Sequence, residues 1–137
     1  TSMKRTFVET RPFTARLKSR LGDEAYRELQ KLLLANPDAG AVMPGCGGLR
    51  KVRFAEEGRG KGKRGGVRVI YLHIPTAERI DFVTIYDKGE KEDLSADEKK
   101  AFRKLADLIH KEAAAKAQKE VTKAKGAQHK RDPKKEK

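Results

Sequence analysis

The chain predicts a small α/β domain of the α+β kind: one mostly antiparallel sheet, two N-terminal helices and a C-terminal helix. Three observations carry that expectation. Val67–Ile74 and Arg79–Tyr86 are β-branched runs joined by a short turn at Pro75–Ala77. Residues 10–36 carry apolar positions at helical spacing, punctuated by Pro12, Gly22 and Pro37. Ser95-Ala-Asp-Glu98 is a capping box ahead of Phe102, Leu105, Ala106 and Ile109, an apolar stripe of helical period.

Taken in order, Lys4–Glu9 reads as a short first strand around Phe7 and Val8. Thr10 or Arg11 sits at the cap position of a helix that Pro12 helps to start and Gly22 stops. Asp23 can cap the next helix, where Tyr26, Leu29, Leu32 and Leu33 form the apolar face and Asn36-Pro37 ends it. Asp38–Gly48 is a Gly/Pro-rich connector. Leu49–Phe54 then alternates, with Leu49, Lys51 and Arg53 on one side and Arg50, Val52 and Phe54 on the other. Beyond His110 the helical stripe ends. Glu112–Lys116 is EAAAK, a helix former without an apolar face, and from about Gly126 the chain is polar and expected to fray. The expected organisation is a body over residues 3–110 and a basic, helical-to-disordered tail over 111–137.

Composition narrows the function. The 137 residues suit one domain with a modest core. Lys plus Arg is 33 and Asp plus Glu is 20, a net charge of +13. The tail holds +6 of it, leaving +7 on the body, so the excess is not a tail property alone. Such a balance attracts polyanions. No apolar run is long enough to span a bilayer, and the N-terminus has no segment of signal-peptide type. Thr1-Ser2 ahead of Met3 reads as an appended remnant. The single Cys46 excludes an intrachain disulfide framework and suits a reducing cytoplasm.

The charge concentrates in GCGGLRKVRFAEEGRGKGKRGGVR, residues Gly45–Arg68. Eight Lys or Arg fall within Arg50–Arg68 against two acids, Glu56 and Glu57. Arg59, Lys61, Lys63 and Arg64 alternate with glycines. A loop of that composition cannot be core, and its like charges call for an external anion such as a nucleic-acid backbone; a solvated hairpin tip is the plainer alternative. Gly60–Gly65 matches G-x-G-x-x-G by the letter, but a strand follows it rather than a helix, so the dinucleotide reading fails. No Cys, His, Asp and Glu spacing resembles a metal site, and no cofactor is expected.

Lys51 and Arg53 share a strand face, Arg68 begins the neighbouring strand, and Tyr86 and Lys88 end the third. Such a set suits metal-free phosphodiester chemistry. Arg can hold a scissile phosphate bidentately, and Lys or Tyr can move protons if neighbouring cations lower its pKa. Ordinary solvent-facing sheet cations are the alternative. His73, mid-strand, reads as a packed residue rather than a base, and Cys46 as a small turn residue.

GCGGLRKVRF (Gly45–Phe54), GRGKGKRGGVRVIYLHI (Gly58–Ile74), VTIYDKGEKEDLSADEK (Val83–Lys99) and FVETRPF (Phe7–Phe13) together resemble the HigB branch of RelE-type toxins of bacterial type II toxin–antitoxin systems. The resemblance covers about Lys4–Ile109. It implies a ribosome-dependent mRNA endoribonuclease, or mRNA interferase, that inhibits translation by cleaving in the A site without a metal. It also implies a cognate antitoxin, often a helix-turn-helix protein, through which the pair meets operator DNA. The resemblance places Lys51 and Arg53 on the family's Lys-x-Lys pair, Arg68 on its phosphate-contacting Arg, and Lys88 near an Arg that assists the leaving group. Arg53 keeps the charge but is a poor proton carrier, which leaves Lys51 as the better one. Where some relatives have a Tyr that stacks or acts as base, an ungapped match gives Leu94, which leaves two alternatives: Tyr86 fills the stacking role from another position, or this branch uses a different base. Arg50, Arg59, Lys61, Lys63, Arg64 and Lys91 complete the expected RNA-binding set. The alternatives are a noncatalytic RNA- or ribosome-binding protein, or a toxin homologue acting mainly in operon repression.

Overall fold

The structure, a computed structural model, describes residues 5–55, 66–91 and 93–129, with side chains to residue 119. Its elements run β1 (Thr6–Glu9), α1 (Arg11–Arg20), α2 (Asp23–Ala35), β2 (Ala41–Val42), β3 (Arg50–Phe54), β4 (Val67–Ile74), β5 (Arg79–Asp87) and α3 (Ala96–His129). The five strands form one sheet in the order β1-β5-β4-β3-β2. Only β1 pairs in parallel, against β5; the other pairings are antiparallel. The expected α+β architecture is therefore present. The two-residue β2 was not anticipated: its apolar content is too small to show a period, and it exists because β3 offers it an edge.

The sheet separates two cores. On one face α1 and α2 lay Phe13, Ala25, Leu29 and Leu33 against Val52, Val69, Tyr71 and Phe82. Leu29 and Leu33 are fully buried, and truncating either to Ala would cost about 2–5 kcal/mol. Leu32 turns outward instead, at 38% exposure. On the other face α3 sets Ala106, Ile109 and Ala113 against Ile70, Leu72, Val83 and Tyr86.

Local chemistry sets the boundaries. The capping box forms as expected: the Glu98 N–H donates to Ser95 Oγ at 3.1 Å and the Ser95 N–H to Glu98 Oε1 at 2.8 Å. Thr10 is the α1 cap residue, yet its hydroxyl is turned to the Phe82 and Val83 carbonyls of β5, at 2.9 and 3.0 Å. Gly22, not Asp23, caps α2; Asp23 and Glu24 occupy its first turn, where they favour the positive end of the helix dipole. The helix α3 passes residue 110 without a break and continues through Gly126 to His129. The EAAAK segment has a role its composition hides: Ala113 is buried, and Glu112 bonds Arg79 at 2.6 Å.

The α2–β2 connector is stitched to the sheet by Tyr71. Its hydroxyl donates to the Pro37 carbonyl at 2.7 Å and accepts from the Gly40 N–H at 2.9 Å. A Cβ at Gly40 would stand 2.9 Å from the Lys51 carbonyl and from the Tyr71 ring, so only glycine allows this approach. Asp38 adds a bond to His73 Nδ1 at 2.8 Å and an ion pair with Arg50 at 3.5 Å. These contacts fix β3, and with it Lys51.

Candidate functional site

Strand register decides which side chains meet. Arg53 stands opposite Arg68, and Arg68 opposite Tyr86, so the three form one row across β3, β4 and β5. Lys51 lies two residues from Arg53 on the same face. This is the α3 face, since Tyr86 packs in that core. The row lies one residue pair from the end of the β3–β4 hairpin, whose last pair is Phe54 with Val67. Arg59, Lys61, Lys63 and Arg64 lie outside the described residues.

The members differ in depth. Arg53 is exposed, Lys51 half-buried, and Arg68 5% exposed with its Nη1 donating to the Gly66 carbonyl at 3.0 Å. Tyr86 is 1% exposed, and its hydroxyl has no hydrogen-bond partner among the described residues. Burial first, and the Asp93 charge second, push its phenol up to about 12, against the pull of Arg68. At neutral pH it is a hydrogen-bond donor and not a base. Its ring is covered: Lys91 Nζ lies 5.6 Å from the centroid and is held by Glu98 at 2.6 Å. The stacking role expected of Tyr86 has no open ring face here, because the second core takes the ring.

The segment after β5 closes the site. Lys88 is half-buried in the turn that follows Asp87. Glu90 accepts the Asp87 N–H at 2.7 Å and pairs bidentately with Arg20 at 2.8 and 2.6 Å, which ties this turn to α1. Leu94 is 5% exposed and anchors the segment in the α3-face core. The sequence reading missed Asp93. Its Oδ1 lies 3.5 Å from Lys51 Nζ and its Oδ2 3.2 Å from Lys99 Nζ. Desolvation raises its pKa, but the Leu94 N–H, Lys99 and Lys51 outweigh that and hold the carboxyl below its ordinary value. An acid inside a run of lysines was the available signal.

Arg50 lies apart from the row. It is on the opposite face, donating to the Gly40 carbonyl at 2.8 Å. Neither described His side chain joins the row: His73 is bonded to Asp38, and His110 Nε2 lies 3.1 Å from the Gly47 carbonyl. Cys46 is buried in the glycine-rich turn. Among the described residues no group of His, Cys, Asp and Glu could hold a metal ion, and no helix is long and apolar enough to cross a membrane.

The arrangement is suited to an anion. Arg53 presents donors at the surface, Arg68 places charge where solvent screens it least, Tyr86 adds a neutral donor, and Lys51 stands beside a carboxylate. A family model described as the RelE toxin of the RelE/RelB toxin–antitoxin system matches residues 26–128. The chain is also similar to the solved structure of a double arginine-to-alanine mutant of E. coli toxin RelE in the free state. That match has 15% identity, covers 64% of this chain and 87% of the other, and has a TM-score of 0.46.

Proposed function

The chain belongs to the RelE family of toxin–antitoxin toxins, and from that membership we propose that it is a ribosome-dependent endoribonuclease of the HigB branch that inhibits translation by cutting mRNA in the A site. Family membership implies a cognate antitoxin as its partner. The observation that carries the nuclease reading is the row Arg53–Arg68–Tyr86 with Lys51 beside it.

The chemistry follows from those groups. The ribose 2′-oxygen attacks the adjacent phosphorus, the bond to the 5′-oxygen of the next nucleotide breaks, and a 2′,3′-cyclic phosphate and a 5′-hydroxyl result. The attacking hydroxyl loses a proton and the leaving oxygen gains one. Negative charge grows on the non-bridging oxygens in between. Arg53 holds that phosphate from the surface and Arg68 stabilises it from below, in a fixed geometry that needs no reorganisation. Tyr86 donates a hydrogen bond to it. Lys51 and Lys88 supply charge and proton transfer at the two ester oxygens. Arg59, Lys61, Lys63, Arg64 and Lys91 dock the RNA backbone, with binding that weakens as salt rises.

Primer extension on a ribosome-bound reporter message tests this. Wild-type protein should give discrete cuts. Arg68→Ala should lower cutting about 10²–10³-fold and abolish growth arrest while the circular dichroism spectrum stays unchanged. Stalled but intact message with wild-type protein would favour a noncatalytic ribosome binder and overturn the nuclease reading.

A further inference from the structure

A cavity of about 210 Å³ opens beside Lys51, walled by Ala41, Met43, Pro44, Asp93 and Lys99. It is smaller than the roughly 300–1,000 Å³ that drug-sized ligands occupy, and fits a single planar ring system. Lys51 belongs both to this cavity and to the cation row. A nucleotide whose phosphate rests on Arg53 can therefore reach the cavity with its own base.

The walls have a definite chemistry. Ala41, Met43 and Pro44 offer apolar surface to the faces of a ring. Asp93 and Lys99 offer opposite polarities at its edge. An ionised carboxylate only accepts hydrogen bonds and an ammonium only donates them. They lie 3.2 Å apart, and their side chains are 44% and 41% exposed, so both can be reached from the cavity. Asp93 Oδ1 also accepts the Leu94 N–H at 2.8 Å, which leaves one lone pair on each oxygen for a base, that of Oδ1 on the side of the more distant Lys51 at 3.5 Å.

Guanine alone among the four RNA bases carries two neighbouring donors, N1–H and N2–H₂, next to an acceptor, O6. Adenine and cytosine present one donor group beside acceptors on that edge, and uracil one N–H between two carbonyls. We propose that this cavity is a guanine-reading subsite, in which Asp93 accepts from N1–H and N2–H₂ and Lys99 donates to O6, and that it biases where the message is cut. The inference rests on the nuclease reading for its substrate.

The experiment is cleavage of a ribosome-bound message library randomised around the cut, with cut sites read by sequencing. Wild-type cuts should be enriched for guanine at one position beside the scissile bond by about five- to a hundredfold, the range for one bidentate base contact. Asp93→Asn leaves one acceptor where guanine presents two donors, and should weaken the preference for guanine. Ala41→Leu fills the cavity and should flatten the preference. Each ratio is internal to one variant's own cuts, so a slower variant is still informative. Asp93 also touches Lys51, so if Asp93→Asn cuts nothing, Ala41→Leu decides. Wild-type cuts indifferent to base, or a preference unchanged in the variants that cut, would overturn the subsite. If wild-type protein cuts nothing, the nuclease reading fails by itself. Affinity for short RNAs differing by one guanine-to-adenine change then tests the cavity, and equal affinities would refute it.

Discussion

Arg53 and Arg68 stand directly opposite each other on adjacent strands. Like charges in that relationship are destabilising, by up to about 1 kcal/mol and less in salt. No folding argument selects such a pair; an anion held between them does. Arg53→Thr should therefore raise the melting temperature slightly at low salt while weakening RNA cleavage. A variant that melts lower and cleaves normally would place Arg53 in the fold instead of the site. Thermal melts at two salt concentrations, alongside the cleavage assay, check this.

Much of this row could be read from alternation. Lys51 and Arg53 share a face because strand side chains repeat every two residues, and β4 and β5 announce themselves by their β-branched content. Register could not be read that way. Nothing local says that Arg68 meets Arg53 on one side and Tyr86 on the other. Depth was hidden for the same reason: Tyr86 is buried because Leu94 and α3 close over it, a packing that depends on residues distant in the chain. Asp93 was passed over because charge counting treats an acid among lysines as a neutral detail. Ala113 was missed because alanine carries too little apolar area to mark a face, although it is buried.

Tyr86 separates a functional hydroxyl from a structural one. A buried polar atom without a partner costs roughly 1–3 kcal/mol, and here no described residue repays it. Tyr86→Phe should leave stability unchanged or raise the melting temperature by roughly 3 °C. Cleavage should fall, since the donor to the phosphate is gone. The phenol is pushed up to about 12, so the pH–rate profiles of wild type and variant should share their shape below pH 10. An alkaline limb lost in the variant would make Tyr86 a base and contradict the donor role.

Glu90 gives the turn after β5 a pH dependence. Its bond to Arg20, reinforced by the Asp87 N–H, outweighs desolvation and lowers the carboxyl from 4.5 to about 2. Its folded pKa thus lies below its unfolded one. The stabilisation is complete above about pH 4.5 and is lost as pH falls toward 2. Its side chain is 29% exposed, so solvent screens the pair and the effect is modest. Glu90→Gln should be less stable than wild type at pH 7, with the gap closing below pH 4.5. Urea midpoints measured from pH 7 to pH 2.5 show it. A gap that persists at the lowest pH would mean the charge is not what holds the turn.

Arg79 and Glu112 fasten α3 to the sheet, and their two substitutions should differ in size. Arg79 is buried and donates to Asp81 at 2.8 and 3.2 Å as well as to Glu112 at 2.6 Å. The bond to Glu112 is the main reason the guanidinium is held charged beyond its ordinary range. Glu112 is 57% exposed, so Glu112→Ala removes a largely solvated partner and should cost on the order of 1 kcal/mol. Asp81 is 3% exposed. Arg79→Ala therefore strands a buried carboxylate and should cost about 3–5 kcal/mol. The double variant Arg79→Met with Asp81→Leu removes both charges and should recover most of that loss. If Arg79→Ala and Glu112→Ala gave equal shifts in urea midpoint, the buried pair would not be what makes the contact strong.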